Sequence, residues 1–312
     1  MASDMVDIFR ELMDMYPEAA EEDASLARYT SARIGGRADI LLRARTSEDL
    51  IKFATWLWEH DQSFEILGGG SNVLISDNGI RGVTLLNQAK ALSFTDADGE
   101  IKIWAESGAN LGAIARQAAQ KGYSGLEWAA GIPGTIGGAL VGNAGAHGGD
   151  ISQVLVMAEI LHIDNGRMRL DSDDLNFAYR TSDLKRMAKK AVVLSAEFKL
   201  HTNSKKDIQE RMYANLGHRK LTQPPGASMG SMFKNPENDF AGRLIESVGL
   251  KGFQMGNAQI SPLHGNFFLN KGDAKASEVY ALISEAQARV QEKLGIHLEL
   301  EIGLLGDWTD QK

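Results

Sequence analysis

The sequence predicts an α+β fold in which strands dominate the first two thirds of the chain and helices the remainder. Apolar runs at residues 154–163 and 192–200 alternate in the manner of strands, whereas the pattern after Thr202 is that of amphipathic helices. The chain has 312 residues, of which 43% are hydrophobic and 33 are glycine. This length allows two or three domains with a sizeable core.

The amino-terminal residues 1–24 place apolar side chains at helical spacing among acidic ones, which predicts an amphipathic helical extension packed on the protein. Residues 29 to about 86 predict a strand, a helix and two strands, with Ser47 as the cap of the helix. A second helix is predicted from Asn110 to Gly122, because asparagine and glycine favour the two ends of helices.

Three further helices are predicted at residues 205–216, 241–248 and 273–294. Alternation at 298–302 predicts a final strand with Leu298 on its apolar face. The predicted domains are the helical extension (1–24), a first domain (25–201, in two parts of about 25–86 and 87–201) and a second α+β domain (202–312).

Composition excludes several classes of function. The formal net charge is −8, which argues against a nucleic-acid-binding surface. The absence of cysteine excludes disulfides, iron–sulfur clusters and cysteine catalysis, and no metal site is predicted. No apolar run reaches the ~18 residues of a membrane span, and no secretory segment is recognised, so we expect a cytoplasmic protein without membrane insertion.

The first of two glycine-rich loops joins two short apolar runs, which predicts the order strand, tight loop, strand. Glycines let the main chain approach a ligand closely, so successive N–H groups of such a loop can point at phosphate oxygens. The dinucleotide fingerprint is different, because it opens a helix. The residues of this loop are Gly68, Gly69, Gly70, Ser71 and Asn72.

The second glycine-rich loop, residues 130–149, contains eight glycines and no Asp, Glu, Lys or Arg. Such a stretch is usually a flexible surface loop. Ile132, Ile136 and Leu140 are too apolar for a linker, and a buried loop needs partners for its backbone donors. A bound phosphate or flavin ring would supply such a partner.

Two later segments carry candidate chemical groups. Arg180 has a planar guanidinium that matches a carboxylate or enolate oxygen, although a surface ion pair is the common alternative. Ser231 lies between a glycine and Lys234; a lone serine is more often a turn or cap residue. For Glu301, the alternation alone indicates a solvated strand face.

In their order and spacing these segments resemble the flavin-dependent UDP-N-acetylenolpyruvoylglucosamine reductases of bacterial peptidoglycan synthesis, in the shorter form that lacks an inserted substrate-closing loop. The resemblance covers most of the chain. It implies a two-part FAD-binding domain of the PCMH/vanillyl-alcohol-oxidase type and a smaller α+β substrate-binding domain whose C-terminal strand returns to the active site. The matching segments are 29–36, both glycine-rich loops, 143–146, 179–182, 230–236, 241–246 and 298–302.

The resemblance also implies the chemistry. NADPH reduces non-covalently bound FAD, and the reduced flavin then reduces UDP-N-acetylglucosamine enolpyruvate to UDP-N-acetylmuramate. Arg180 and Glu301 stabilise the enol-like intermediate, and Ser231 supplies the proton as a general acid. Tyr179, Lys234 and Asn235 bind substrate. The implied FAD-binding residues are Gly68, Gly69, Gly70, Ser71, Asn72, Gly131, Ile132, Pro133, Gly134, Thr135, Gly137, Gly138, Asn143 and Gly145.

Three positions depart from the family pattern: Gly303, where arginine is frequent, Arg37, where proline is usual, and His147, where tyrosine is common. The alternatives are another flavin oxidoreductase on the same scaffold and a non-catalytic flavin-binding protein. Retention of Arg180, Ser231 and Glu301 together favours the active reductase. His147 is the only histidine in the two loops, so it is the one candidate for covalent flavin attachment; the resemblance favours a non-covalent flavin.

Overall fold

The computed structural model describes residues 3–97 and 99–309, and these contain eight α-helices and 18 strands. The helices are α1 (Ser3–Met15), α2 (Ser47–Glu59), α3 (Leu111–Lys121), α4 (Ile136–Val141), α5 (Asp183–Arg186), α6 (Lys205–Thr222), α7 (Ala241–Ser247) and α8 (Ala276–Leu294). The strands are β1 (Ala20–Ser25), β2 (Arg37–Ala44), β3 (Phe64–Leu67), β4 (Val73–Ile75), β5 (Ile80–Asn87), β6 (Leu92–Ala97), β7 (Glu100–Glu106), β8 (Tyr123–Ser124), β9 (Gly145–Ala146), β10 (Gly149–Asp150), β11 (Leu155–His162), β12 (Gly166–Asp171), β13 (Ala191–Thr202), β14 (Ala227–Ser231), β15 (Gln254–Met255), β16 (Ala258–Ile260), β17 (Phe267–Asn270) and β18 (Gly303–Leu305).

The first sheet has the strand order β1-β2-β5-β3, with β2 and β3 both parallel to β5. Helix α2 covers one face and buries Leu50, Phe53 and Leu57. Its cap is Thr46 rather than the predicted Ser47, because the Thr46 hydroxyl accepts a hydrogen bond from the Asp49 N–H and the Asp49 carboxylate accepts one from the Thr46 N–H. Three strands follow this helix before residue 88, one more than the sequence predicts.

The predicted helical extension is too long. Helix α1 ends at Met15, and Ala20–Ser25 forms the edge strand β1, antiparallel to β2 with Ala24 opposite Ala38. Both of these alanines are fully buried, so strand pairing and burial set the conformation of this segment. Leu12 of α1 is also buried, against the core that α2 forms with the first sheet.

The second sheet is antiparallel and has the order β12-β11-β13-β7-β6, with β8 pairing the end of β13. Both strand predictions, at 154–163 and 192–200, are confirmed by β11 and β13. Helix α3 begins and ends as predicted: Asn110 accepts a hydrogen bond from the Ala113 N–H, and Gly122 adopts a left-handed conformation.

The third sheet has the order β14-β17-β16-β15 and packs against α7 and α8. The predicted apolar face of α8 is buried, including Val279, Leu282 and Ile283. Three residues of the first part of the chain, Ala32, Ile34 and Leu74, belong to the same core. The carboxy-terminal region is therefore packed directly onto the glycine-loop region.

Residues 298–302 do not form the predicted strand, since only a single antiparallel bridge joins Leu300 to Phe233. The last strand is β18, which pairs in parallel with β4 directly after the first glycine loop. In the described residues, no helix is both long and apolar enough to cross a membrane.

Candidate functional site

The glycine loops and the carboxy-terminal segment meet at one place. The Asn72 side-chain amide donates to the Glu301 carbonyl oxygen at 3.1 Å, and the Gly303 N–H donates to the Asn72 carbonyl oxygen at 2.9 Å. From the second glycine loop, the Gly145 carbonyl oxygen accepts a hydrogen bond from Arg180 Nη1 at 3.0 Å. The first loop therefore contacts the backbone of Glu301 and the second contacts the side chain of Arg180, two of the three predicted catalytic residues.

Arg180 and Glu301 form an ion pair with 2.9 Å between Nε and Oε1. The Arg180 and Glu301 side chains are 27% and 14% exposed, so water screens this pair poorly. The Nε–H is buried and does not point at an acceptor within the described residues, so the contact is an ion pair rather than a linear hydrogen bond.

Burial raises the pKa of Glu301 above the ordinary range of a glutamic acid, and the nearby cations Arg180, Lys234 and Lys185 oppose that rise. Perturbation of this kind is typical of groups that exchange or hold a proton in an active site.

A tight turn presents Tyr179 and Arg180. Ala178 and Thr181 exchange two backbone hydrogen bonds, and Arg180 adopts a left-handed backbone conformation with φ +57°. The buried Asn143 braces this turn by donating from its amide to the Ala178 carbonyl oxygen at 3.2 Å. Asn143, predicted to bind the cofactor, thus positions the arginine in this structure.

Ser231 ends β14 at an irregularity in the pairing with β17, between Ser228 and Ser231. A bulge re-aims the side chains that follow it, and Gly230 supplies the left-handed conformation with φ +79°. Within the described residues the Ser231 hydroxyl has no hydrogen-bond partner. The Glu301 N–H donates to the Met232 carbonyl oxygen at 2.9 Å, which places the glutamate next to the serine in the backbone.

Asn266 is a buried residue that the sequence did not indicate. Its side chain accepts from the Phe233 N–H at 2.9 Å and donates to the Phe233 carbonyl oxygen at 2.8 Å, while its own carbonyl accepts from the Met232 N–H. These three bonds fix the backbone between Ser231 and Lys234. A single polar residue between apolar neighbours gives no signal of such a contact in the sequence.

An open cleft of about 370 Å³ lies beside this segment, and all three predicted substrate-binding residues line it. Lys234 Nζ lies 2.6 Å from Glu299 Oε1, and the Asn235 N–H donates to the Tyr179 hydroxyl at 3.5 Å. The complete lining is Tyr179, Lys234, Asn235, Pro236, Glu237, His297 and Glu299. Its members Glu237, His297 and Glu299 were not among the predicted site residues.

The first glycine loop leaves backbone donors available. The N–H groups of Gly69, Gly70, Ser71 and Asn72 donate to no residue in the described ranges. Gly70 is required, because φ is +55° and a Cβ there would overlap the Tyr29 carbonyl oxygen. Four consecutive free donors in an uncharged loop match the phosphate oxygens of a dinucleotide cofactor.

The second loop packs against the first, as the Ser71 hydroxyl donates to the Pro133 carbonyl oxygen at 3.3 Å. Not every predicted cofactor residue has a free donor here. The Gly137 N–H donates to the Ser107 carbonyl oxygen, and the Gly138 N–H donates to the Thr135 hydroxyl. Gly137 lies close to Ser107, so its lack of a side chain serves helix packing in this structure.

The donor set fits a flavin dinucleotide better than a metal. Among the described residues, no group of three or more His, Cys, Asp or Glu could hold a metal ion. By contrast, the free N–H groups of residues 69–72 and the uncharged glycine loops lie directly beside the ion pair of Arg180 and Glu301.

Comparison with known proteins identifies the family. A model of the C-terminal domain of UDP-N-acetylenolpyruvoylglucosamine reductase matches residues 221–305, and a model of an FAD binding domain matches residues 38–170. Reductases of this name from Chloroflexus aggregans and Halalkalibacterium halodurans are 38% and 40% identical over 94% and 91% of this chain, which is 100% and 93% of their own lengths. The chain belongs to the UDP-N-acetylenolpyruvoylglucosamine reductase family.

A solved structure of the reductase from Thermus caldophilus is also similar. It shares 36% sequence identity with this chain, covers 90% of it and 97% of its own length, and superposes with a TM-score of 0.77. These findings confirm the predicted resemblance and fold class, and they place the chain among FAD-binding oxidoreductases.

Proposed function

We propose that the protein catalyses the NADPH-dependent reduction of UDP-N-acetylglucosamine enolpyruvate to UDP-N-acetylmuramate, with non-covalently bound FAD, in peptidoglycan precursor synthesis. The observation that carries the proposal is the partly buried ion pair of Arg180 and Glu301. It lies where both glycine loops, the Ser231 segment and the substrate cleft come together. Membership of the family supports the substrate and product.

The roles of the loops follow from their donors. The free N–H groups of residues 69–72 would hold the FAD diphosphate, and the second loop would cover the flavin. When bound, FAD accepts hydride from NADPH and returns it to the substrate, which is the redox chemistry that this chain's own side chains lack.

The side chains of the protein stabilise negative charge and donate a proton during this reduction. Addition of hydride to the enolpyruvyl double bond moves negative charge toward the carboxylate. The Arg180 guanidinium is held in place before the reaction by its ion pair with Glu301, and it stabilises that charge without reorganisation. The Ser231 hydroxyl, free of partners in the described residues, delivers the proton to the neighbouring carbon.

The substrate is held at the same time by the cleft. Lys234 offers its ammonium group to a carboxylate or phosphate once Glu299 has moved aside, while Tyr179 and Asn235 offer a hydroxyl and an amide. Such positioning aligns the double bond with the flavin and with Ser231.

The proposal is tested by anaerobic spectroscopy of the purified protein. We expect flavin absorption bands that bleach with NADPH and return only when the enolpyruvyl sugar nucleotide is added. Bands that bleach but do not return with this substrate would indicate a different oxidoreductase, and a protein that cannot be loaded with flavin would contradict the cofactor.

The same assay tests the serine. Ser231→Ala should leave bleaching by NADPH unchanged and slow the return of the bands by about 10²-fold or more, because proton transfer is lost. Ser228→Ala, in the same strand, is the matched control and should behave as the unmodified protein. Equal rates for the two variants would remove Ser231 from the mechanism.

A further inference from the structure

Asn266 immediately precedes β17 and lies beside the segment that carries Ser231. Only 3% of Asn266 is exposed. Its side-chain oxygen accepts from the Phe233 N–H at 2.9 Å, and its side-chain amide donates to the Phe233 carbonyl oxygen at 2.8 Å. A side chain that bonds both backbone groups of one residue does what a paired residue of a neighbouring strand does.

Phe233 needs this partner because its segment is already paired on the other side. The antiparallel bridge between Phe233 and Leu300 takes its backbone hydrogen bonds from Met232 and Lys234, the residues on either side of Phe233. In such a pair the N–H and C=O of the central residue point away from the partner strand. A buried backbone group without a partner is unfavourable, so Asn266 satisfies two groups of a fully buried residue.

Asn266 is itself held in place by its neighbours. Its N–H donates to Nδ1 of His264 at 3.2 Å, and the His264 ring meets the Phe267 ring edge-on with 4.9 Å between centroids. The same histidine lies against α7, since a Cβ added to Gly242 would be 2.9 Å from its Cε1. The Asn266 carbonyl oxygen accepts from the Met232 N–H at 2.8 Å. The asparagine therefore joins the Ser231 segment to packed elements of the carboxy-terminal region.

The position of Ser231 depends on these bonds because the sheet pairing is interrupted just before it. The register between β14 and β17 shifts between Ser228 and Ser231, and Gly230 between them has φ +79°. Such an irregularity leaves the backbone on the amino-terminal side of the serine less restrained. On the carboxy-terminal side, the next two residues are both hydrogen-bonded to Asn266.

We propose that Asn266 is a positioning residue that directs the Ser231 hydroxyl toward the carbon that it protonates. This inference rests on the proposed function. Proton transfer requires the hydroxyl at hydrogen-bond distance from its acceptor, and a displacement of about 1 Å can lower a rate about 10²-fold. The O–H bond of Ser231 breaks as the C–H bond of the product forms. Asn266 exchanges no proton and acts through the backbone of residues 232 and 233.

The test compares Asn266→Ala with Asn270→Ala in the flavin-loaded protein under anaerobic conditions. Asn270 ends β17 and also bonds to backbone, but its amide donates to the Ala32 carbonyl oxygen at 2.9 Å. We expect Asn266→Ala to leave bleaching by NADPH unchanged and to slow the return of the flavin bands with saturating UDP-sugar about tenfold or more. Asn270→Ala should leave both rates unchanged. Equal rates of return in the two variants would overturn the inference.

A double variant distinguishes positioning of the serine from a general loss of structure. When Ser231→Ala is already present, there is no hydroxyl to position, so adding Asn266→Ala should slow the return of the bands by less than about twofold more. If Asn266→Ala slowed the reaction by the same factor with and without Ser231, the asparagine would act independently of the serine and the inference would be wrong.

Asn266→Asp guards against misfolding, because it keeps the size of the side chain. The new carboxyl group can accept from the Phe233 N–H, but it can donate to the Phe233 carbonyl oxygen only when it is protonated. The rate of flavin reoxidation relative to the unmodified protein should therefore be lowest at high pH and recover as the pH falls. A relative rate of one at every pH would contradict the role of Asn266.

The same measurements keep this inference separate from the proposed function. If the UDP-sugar does not reoxidise the flavin of the unmodified protein at all, the proposed function fails. If reoxidation occurs and the Asn266 variants match the unmodified protein, only the positioning role fails.

Discussion

Glu299 and Glu301 lie two residues apart and each contacts a cation, yet their surroundings differ sharply. Glu301 is 14% exposed, faces Arg180, and has its pKa raised by burial. Glu299 is 66% exposed and faces Lys234 from the solvent side of the cleft. Burial, rather than the local sequence, separates a carboxyl group that can take part in chemistry from one that is a surface ion-pair partner.

The backbone explains how one segment produces both environments. The Lys234 N–H donates to the Glu299 carbonyl oxygen and the Glu301 N–H to the Met232 carbonyl oxygen, so the segment is anchored on both sides of Leu300. The Asn72 side chain also donates a hydrogen bond to the Glu301 carbonyl oxygen, which holds the Glu301 backbone beside the first glycine loop. Glu301 therefore lies in the interior beside Arg180, while Glu299 lies at the exposed edge of the cleft.

The largest effect is expected at the ion pair of Arg180 and Glu301. Arg180→Met should slow reoxidation of the reduced flavin by the UDP-sugar about 10³-fold, because a fixed cation is lost and a buried carboxyl is left without its partner. Bleaching by NADPH should change little. Arg186→Met, in the exposed helix α5, is the control and should leave both rates unchanged. Normal reoxidation in Arg180→Met would contradict a chemical role for the Arg180–Glu301 pair that the Lys234–Glu299 pair lacks.

Substitution of the two glutamates separates them directly. Glu301→Gln should lower kcat about 10²-fold, since the glutamine can neither hold nor exchange a proton beside Arg180. Glu299→Gln should leave kcat within about twofold, because this exposed group takes no part in the chemistry. Steady-state kinetics of both variants measures this difference in kcat. Similar kcat values would indicate that the two carboxyl groups have equal roles.

Much of the fold follows from local pattern. The period-two runs of β11 and β13, the capped helix α3 and the apolar face of α8 are each specified by residues next to one another in sequence. Residues 298–302 also alternate, but they pair only at Leu300. Alternating apolar residues indicate that one face of a segment is buried, but they do not indicate whether a neighbouring strand is present to pair with it.

The candidate site is predictable only in part, since its contacts join residues far apart in the chain. Glycine loops and the Arg180 turn are visible as motifs, whereas the Asn266 contacts to Phe233 leave no mark in the sequence.

A smaller effect concerns stability and pH. The pKa of Glu301 is higher in the folded protein than in the unfolded chain, so its stabilising contribution is complete below the unfolded pKa and is lost as pH rises through the folded one. The stability of the unmodified protein relative to Glu301→Gln should therefore fall as pH rises. Denaturant unfolding of both proteins between about pH 4 and pH 8 measures this difference. A difference that does not change with pH would contradict the raised pKa.

The smallest effect is expected at the exposed ion pair of Glu299 and Lys234. Glu299 forms an ion pair with Lys234 and adds negative charge to a cleft proposed to bind an anionic substrate. Because an exposed ion pair is worth only ~0–1 kcal/mol, Glu299→Gln should lower KM for the UDP-sugar about two- to threefold. High salt screens the same charges, so the advantage of the variant should disappear near 1 M salt, where the Debye length is about 3 Å. The matched control is Glu246→Gln, which removes another exposed carboxylate paired with a lysine, on α7 and outside the cleft lining. An unchanged KM in Glu299→Gln would show that substrate does not displace Glu299 from Lys234.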